Sequence, residues 1–577
     1  MIHDKISSLY LQSRSPEAPL RVGILLDSWT VPRVFRSVLT DINASNFARV
    51  ELVAINSQPS RARPVSSNRI VRLLNSVLQR DTRRKLMFTL YSRAVDRCVC
   101  RPDPLEDVDV SDLLGGVPVL KVQPVSTRFV HRFPPEAIAS IRSFNLDVIL
   151  RFGFNILRGE ILTSARRGVW SFHHGDNNEY RGGPPLFWEV VEDNPYSGVI
   201  LQVLTEKLDD GIVLCKSVFG TRRGLSWKRN IPNPYWGSSH FVIRKLHQLH
   251  ENGWEAVRET MVPSAPYRGK TAVYRAPTNT QVARWLLPRI ARKIVEWPFR
   301  RVRTPHWRIC LRKTDGPELM TGAGSTFSNY RWMPDENGHY YADPVLVQHE
   351  DRQIWLFFED FSRKTNRGTI CCASVGPDLT LGPVTSCLDL PYHLSYPMVF
   401  RHQGETYMIP ESQENRTVDL FRATRFPDHW TLERTLFQGA AVDTTPFFHD
   451  GRWYFFTTLC EPRGNAAFGV LYHSGDLLGE WSLHPDSPIS TDVRYARSAG
   501  PVHTTPDGRI FRPVQDCGED YGRRIHIEEI LELTPSKFRN RTVRSIEPDW
   551  EPNLRGTHTY GFCAGIETLD ALFLTYP

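Results

Sequence analysis

Apolar residues follow two different rhythms along this chain. From Leu20 to Leu214, short runs of consecutive apolar residues alternate with longer mixed stretches. "RVGILLDSW" (Arg21 to Trp29) has the pattern of a buried strand ending in a polar turn, and a helix-like segment starts at Pro32. "VELVAINS" (Val50 to Ser57), "LDVILRFGF" (Leu146 to Phe154) and "GVWSFHH" (Gly168 to His174) repeat the strand pattern. Strand, helix, strand predicts an α/β domain on a parallel sheet. No G-x-G-x-x-G follows the first strand, so a dinucleotide site is not supported. The stretch from about 60 to 112 begins Arg-rich and helix-prone and reads as an insertion. "SGVILQVLTEKLDDGIVL" (Ser197 to Leu214) predicts strand, turn, strand, with Leu208-Asp209-Asp210-Gly211 at the turn.

The rhythm changes near Arg331. Five segments resemble one another: "ADPVLVQHEDRQIWLFFED" from Ala342, "SYPMVFRHQGETYMIPES" from Ser395, "DTTPFFHDGRWYFFTT" from Asp443, "AGPVHTTPDGRIFRPVQD" from Ala499 and "YGFCAGIETLDALFLTY" from Tyr560. Four carry a proline ahead of an apolar strand, and those prolines (Pro344, Pro397, Pro446, Pro501) lie 53, 49 and 55 residues apart. A period near fifty with a hairpin in each unit is the signature of a β-propeller, here of five blades.

With 577 residues the chain exceeds one hydrophobic core. The expected organisation is a tail (1–19), an α/β domain (20–255), a basic linker (256–330) and an all-β five-bladed propeller (331–577). The net charge of +8 is too diffuse to argue for nucleic acid, and no nucleic-acid partner is expected. From Arg284 to Lys313, however, ten basic residues face one acid, Glu296. Within it, 281–303 interleaves Val282, Trp285, Leu286, Ile290, Ile294 and Trp297 with arginines, and Pro288 and Pro298 are expected to break it into short pieces. Two readings stay open: peripheral contact with an anionic membrane, or a linker that packs its apolar side while its arginines stay wet. The ten cysteines show no zinc spacing and read as reduced, mostly buried thiols. There is no apolar stretch near the N-terminus and no apolar run of about 18 residues, so a cytoplasmic protein that does not span a membrane is expected.

The densest chemistry lies in "SFHHGDNNEYRGGPP" (Ser171 to Pro185). A strand delivers His173, and the chain then turns through Gly175 and Arg181-Gly182-Gly183-Pro184-Pro185. His173 and a carboxylate from the Asp209 turn would meet at the strand ends, where α/β sites form; the carboxylate would orient the imidazole. A metal site on His173, His174 and Asp176 is disfavoured, because adjacent strand residues point to opposite faces.

These motifs resemble those of the formyltransferases that use 10-formyltetrahydrofolate, acting on methionyl-tRNA, glycinamide ribonucleotide or amino sugars. The family pattern is Asn-x-His, a loop ending in Arg-Gly and a proline, then Leu-Asp-x-Gly about thirty-five residues on. Here His173, Arg181, Gly182 and Asp209 match at that spacing, and "DVILRFGFNILRGEIL" (Asp147 to Leu162) resembles the strand and loop that cradle the pterin. The similarity covers about Leu20 to Gly253. It implies His173 and Asp209 as catalytic residues, Phe152, Gly153, Asn155, Ile156, Leu157 and Asp210 as folate-binding residues, and Arg181 and Gly182 as substrate-binding residues. At the position of the family asparagine stands Ser171. That amide donates to the developing oxyanion, and losing one such donor typically costs ~10²–10³ in rate. An altered formyltransferase, a relative using or hydrolysing another carbonyl donor, and a binding domain without activity are the readings that follow.

The second half resembles five-bladed propellers of the arabinanase and xylosidase type and the N-terminal domain of plant glucosamine inositolphosphorylceramide transferases. That resemblance implies a channel lined by Asp343, Glu411, Asp443 and His558. Three carboxylates suffice for glycoside hydrolysis; recognition of a glycan or glycolipid, and a structural role, are the other readings. A transfer-RNA enzyme would carry a small C-terminal barrel. A sugar-type propeller in its place points to N-formylation of an amino sugar or glycoconjugate precursor. The alternative is a glycan-binding or glycan-processing protein whose formyltransferase-like domain is inactive or uses another donor.

Overall fold

The computed structural model describes residues 2–3, 5–58, 83–98, 103–127, 129–207, 209–296, 304–322, 329–334, 336, 338–463 and 467–575. Most of the expected insertion (59–82 and 99–102), Leu208 of the aspartate turn and the end of the basic segment (297–303, with Trp297 and Pro298) lie outside them. The chain divides into two compact units, 7–300 and 301–577, the latter joined by residues 1–6.

The first unit is built on a seven-stranded sheet. Its strands are β1 (Leu20–Leu26), β2 (Ala48–Asn56), β3 (Val119–Val122), β4 (Val148–Arg151), β5 (Val169–His173), β6 (Tyr196–Val203) and β7 (Ile212–Gly220), in the spatial order β7-β6-β5-β4-β1-β2-β3. Strands β3 to β5 run parallel through β2, β1 and β4. β6 and β7 are antiparallel to their neighbours. The expected parallel sheet is therefore mixed, because a short turn at Asp209 joins β6 to β7 and a short turn can only make a hairpin. β1 is buried from Val22 to Leu26, as its unbroken apolar run requires. Helix α1 (Arg33–Ala44) buries Val34, Val38, Leu39 and Ile42, one stripe of a 3.6-residue period. A core of Leu25, Leu52, Ile138, Ile141, Ile149, Leu157 and Ile161 fills one face of the sheet.

The order places β1 between β2 and β4, so the chain leaves β1 to one side and returns on the other. Crevices form at the carboxyl ends of strands at such a point. Asp27, Arg151 and His173 stand at those ends. Gly153 passes so close to the end of β1 that a methyl group there would overlap the backbone of Leu26 and Asp27.

Helix α2 (Leu86–Cys98), α3 (Pro135–Ser143), α4 (Trp188–Val191), α5 (Pro232–Ser238), α6 (Phe241–Glu259) and α7 (Asn279–Glu296) complete the unit. α7 corrects the expectation of short pieces: Pro288 sits inside one continuous helix. Trp285 of α7 is buried in a cluster with Tyr91, Phe187, Trp188, Trp227 and Tyr274, and Val282 of the same helix is buried as well. That packing outweighs the hydrogen bond proline removes.

The second unit consists of five antiparallel sheets. The first holds His339–Gln348, Ile354–Ser362, Arg367–Val375 and Thr385–Leu388. The second holds Ser395–His402, Glu405–Glu411, Thr417–Arg425 and His429–Gly439, with Ile2–His3 added parallel at its outer edge. The third holds Ala441–His449, Arg452–Cys460, Ala467–Ser474 and Ser482–Leu483. The fourth holds Arg497–Ser498 and His503–Thr504, Ile510–Asp516, Arg524–Leu533 and Phe538–Ile546. The fifth holds Tyr560–Cys563, Ile566–Thr575, Thr304–Lys313 and Arg331–Trp332. Thr304–Lys313, expected as linker, is thus a strand of this unit, paired along its whole length with Ile566–Thr575.

The first strands of the first four sheets lie one against the next, and Tyr560–Cys563 of the fifth lies against His339–Gln348. The period read in the sequence reappears as a recurrent bulge. Register slips at Ala342/Val345, Ser395/Met398 and Val442/Thr445, and Asp343, Tyr396 and Asp443 each take a positive φ there. Such bulges re-aim side chains.

Candidate active site

β5 sets the site of the first unit. Ser171 and His173, two residues apart, share a face; Phe172 and His174 share the other. His174 stacks on Tyr235 with ring centroids 3.6 Å apart, and burial pulls its pKa down to about 3. A neutral ring sandwiched on the far face cannot join His173 on one ion. His173 points the other way: its Nδ1 lies 3.4 Å from Asp209 Oδ1 and its Nε2 lies 2.8 Å from the Tyr180 carbonyl oxygen. Both ring nitrogens therefore face oxygen atoms.

Asp209 holds a positive φ in the turn, and its Oδ2 accepts the Gly182 N–H at 2.9 Å. Gly182 itself has a φ of 96°, and a Cβ there would overlap the Tyr274 carbonyl oxygen. Asp209 thus ties the imidazole to the Arg181–Pro185 loop. Arg181 donates to the Asn177 carbonyl and to Asp210 Oδ1, both at 2.9 Å, and lies over the ring of Tyr267. Asp210 and Arg181, expected to hold folate and acceptor, therefore pair with each other. Asp176 pairs with Lys216 at 2.6 Å, and a side chain on Gly198 would collide with it.

Of the expected folate-binding stretch, Phe152 stacks on Phe35 at 4.5 Å and Asn155 is exposed, its N–H on His131 Nδ1. Ile156 is half-buried, whereas Leu157 belongs to the core and offers the crevice only its backbone. The Phe154 N–H donates to Asp27 Oδ1 at 2.9 Å. Ser171 Oγ accepts from Arg151 Nη1 at 3.1 Å and donates to the Phe172 carbonyl at 3.3 Å.

Two residues here escaped the sequence reading. Arg151 ends β4 beside Ser171. Glu189, on α4 behind the Arg181–Pro185 loop, is 1% exposed, neither of its oxygens has a hydrogen-bond partner among the described residues, and burial pushes its pKa up to about 8. Only a carboxyl group four residues past the Pro184-Pro185 pair marked it.

In the second unit the four expected residues fall into two groups. Asp343 Oδ1 lies 3.5 Å from His558 Nε2 and accepts from Thr559 Oγ1 at 2.8 Å; His558 Nδ1 lies 2.5 Å from Asp570 Oδ2. The donor atoms of Asp343, His558 and Asp570 lie within 4.8 Å of one another, the spacing a metal ion would need. Burial opposes the charged His558 ring, but Asp570 and then Asp343 outweigh it and raise its pKa. Trp307 stacks on the same ring at 4.0 Å. In the other group Arg497 Nε donates to Asp443 Oδ2 at 2.7 Å, and its Nη2 lies 3.8 Å from Glu411 Oε2. Gln515 also donates to Asp443. Burial, then the Asp443 carboxylate, pushes the Glu411 carboxyl well above its usual range. Glu359, which the sequence did not single out, is buried and similarly raised, chiefly by burial and then by Asp343. Tyr521 is half-exposed beneath the Arg497 guanidinium.

Different parts of the chain are similar to two different families. Residues 333–554 match the family described as glucosamine inositolphosphorylceramide transferase 1, N-terminal. The rice (Oryza sativa subsp. indica) glucosamine inositolphosphorylceramide transferase 1 is 35% identical over 219 residues, 36% of this chain and 29% of that protein. The methionyl-tRNA formyltransferase of Citrifermentans bemidjiense is 34% identical over 102 residues, 18% of this chain and 30% of that protein. Glycinamide ribonucleotide transformylase 1 from Symbiobacterium toebii superposes with a TM-score of 0.24 at 12% identity, over 42% of this chain and 86% of its own. The chain spans less than a third of the length of the curated relatives it matches. It joins a region similar to formyltransferases to a region similar to the N-terminal part of the plant glycolipid transferases.

Proposed function

We propose that the chain is a formyltransferase of glycoconjugate synthesis, moving the formyl group of 10-formyltetrahydrofolate to the amine of a sugar or lipid-linked sugar. One observation carries this reading: the pairing of His173, at the carboxyl end of β5, with Asp209 of the turn between β6 and β7, two residues at the spacing of the formyltransferase motifs. The amine nitrogen bonds to the formyl carbon, the bond from that carbon to N10 of the folate breaks, and N10 takes the proton the amine sheds. His173 is the group to carry that proton or to face the anion, with Asp209 orienting it. For either role Nε2 must leave the Tyr180 carbonyl, so acceptor entry and movement of the 180–185 segment are linked.

We read the second unit as a five-bladed propeller that recognises the glycan. Five sheets of four or five strands, three of them with the same bulge, support the blades. The acids argue for recognition over hydrolysis: Asp443 is taken by Arg497 and Gln515, and Asp343 by Thr559 and the Tyr396 N–H. Neither is free to activate water.

The acceptor would be met at a membrane. No helix among the described residues is long and apolar enough to cross one. But α7 has a second apolar edge: Leu287, Ile294 and Val295 are 58%, 65% and 66% exposed, beside the exposed Arg284, Arg292 and Lys293. Apolar and basic side chains together suit an anionic bilayer surface. The free thiols, among them Cys215, Cys310 and Cys372, suit the cytoplasmic side.

The test is incubation with 10-formyltetrahydrofolate and a panel of amino sugars, followed by mass spectrometry. A formyl adduct absent with His173→Ala is expected. No adduct on any amine, together with no folate binding, would leave the second unit's glycan recognition as the chain's activity.

A further inference from the structure

We propose that Arg151 and Ser171 together form the group that stabilises the oxyanion in this chain, Ser171 touching it and Arg151 acting through Ser171 as a positioning residue. The inference rests on the formyl-transfer reading.

Attack by an amine on a formyl carbon moves the carbonyl π pair onto oxygen. When that oxygen re-forms its double bond, the bond to N10 breaks. Catalysis requires donors or positive charge aimed at the oxygen while it is negative. On the face of the sheet that carries His173, Arg151 is placed to supply charge. It ends β4, adjacent in the sheet to Ser171, which precedes His173 by two residues on the same face.

Three features set Arg151 apart from a structural arginine. Its hydrogen bonds go to neutral oxygens, Nη1 to Ser171 Oγ at 3.1 Å and Nη2 to the Phe154 carbonyl at 2.9 Å. Its Nε is buried without an acceptor among the described residues. Burial disfavours its charge, and Asp27 and Asp209 offset this only from a distance. A largely desolvated cation without a contacting carboxylate is costly to keep, and such arrangements occur where charge appears during a reaction.

Ser171 completes the device. Its lone pair accepts from the guanidinium, which polarises the hydroxyl. Its proton goes to the Phe172 carbonyl at 3.3 Å, at the long end for an O–H donor. That proton can turn to a stronger acceptor in the crevice. A short hydroxyl backed by a cation thus does what a longer neutral amide would do.

The experiment compares the wild type with Ser171→Ala, Arg151→Gln, Arg151→Lys and the Ser171→Ala/Arg151→Gln double variant. Folding is checked by circular dichroism. kcat and KM are measured separately for formyl transfer. Calorimetry measures binding of two folate analogues, one with a trifluoromethyl ketone that hydrates to a tetrahedral diol at the formyl position, the other with a methyl ketone that stays trigonal. The expected result is a kcat ~10²-fold lower in Ser171→Ala and Arg151→Gln, an unchanged folate KM, and loss of the wild-type preference for the tetrahedral analogue. The double variant is expected to be no worse than either single one, and Arg151→Lys to recover part of kcat. Folded variants with wild-type kcat and preference, or a loss confined to KM, overturn the proposal while formyl transfer stands. If Arg151→Gln does not fold, Ser171→Ala decides alone by the same criteria. A wild type that binds neither analogue and forms no adduct overturns the formyl-transfer reading, and this proposal with it.

Discussion

Asp209 reaches both His173 and Gly182: one carboxylate oxygen lies 3.4 Å from His173 Nδ1 and the other accepts the Gly182 N–H at 2.9 Å. A single side chain therefore orients the imidazole and anchors the loop that borders it. The two jobs separate by substitution. Asp209→Asn removes the charge but keeps an oxygen for Gly182, so formyl transfer should fall ~10²–10⁴-fold while stability holds. Asp209→Ala should lose the same activity and, in addition, ~1–3 kcal/mol of stability, because the half-buried Gly182 N–H loses its acceptor. Steady-state kinetics beside urea unfolding reads both; equal stability of the two variants would show that the loop does not depend on Asp209.

Gly182→Ala tests the loop from the other side. The residue holds a φ of 96° and its hydrogen-side faces the Tyr274 carbonyl. An alanine there must adopt a left-handed backbone and push Tyr274 away. Expected is a loss of at least ~1–3 kcal/mol in urea unfolding with His173 misplaced, so that kcat falls too. Wild-type activity in a folded Gly182→Ala protein would refute the coupling.

The main elements were legible where local pattern and burial agree. β1, β4 and β5 are runs of buried residues bounded by polar turns, and the repeated prolines marked the strands that bulge. Thr304–Lys313 was not legible, because its partner strand ends at Thr575 and its basic residues read as linker; Arg312 is in fact buried on Glu567. Pro288 misled for a related reason: propensity argued for a break, whereas Val282 and Trp285 hold the helix by tertiary packing. At the site, His173 and Asp209 were legible from spacing. Arg151 was not, since an arginine ending a strand ordinarily reaches solvent, and only the register of β4 on β5 brings it to Ser171.

Glu189 makes a stability prediction with a definite sign. Its carboxyl is buried without a partner, and its folded pKa of about 8 lies above the ordinary value of 4.5. Between those values the folded chain holds a proton that the unfolded chain has released. Stability is therefore full below about pH 4.5, declines at up to ~1.4 kcal/mol per pH unit as pH rises, and levels off above about pH 8. Glu189→Gln, neutral at every pH, should match the wild type near pH 4.5 and exceed it in Tm at pH 8–9. Parallel Tm–pH curves for the two proteins would show that the carboxyl is solvated.

Arg497 is the counter-ion of Asp443 and Glu411 in the second unit. It contacts Asp443 at 2.7 Å and Glu411 at 3.8 Å, and burial of its guanidinium is outweighed by the Asp443 carboxylate, so its pKa is held well above the ordinary value. Arg497→Met leaves two buried acids facing each other and should cost ~3–5 kcal/mol. Arg497→Met/Asp443→Asn should recover a large part of that loss, and urea titration of the three proteins gives the coupling directly. If the glycan sits over this group, with Tyr521 beneath it, both variants should also lose glycan-array signal.

The outward edge of α7 decides between contact with lipid and mere exposure. Leu287 and Ile294 face solvent on the side opposite Val282 and Trp285, so substituting them leaves the buried face intact. On vesicles containing phosphatidylglycerol the wild type should float, and on pure phosphatidylcholine it should not, since Arg284, Arg292 and Lys293 each add on the order of 1 kcal/mol only where the surface is anionic. Leu287→Glu/Ile294→Glu should abolish flotation without changing Tm. Arg292→Glu/Lys293→Glu should weaken it, and raising salt should weaken the wild type in the same way, because the basic contribution is screened over about 8–10 Å. Formyl transfer to a soluble amino sugar should be unaffected in both variants, whereas transfer to a lipid-linked acceptor in vesicles should fall with flotation. Equal transfer to both acceptors in the non-floating variants would mean that α7 has no part in reaching the acceptor.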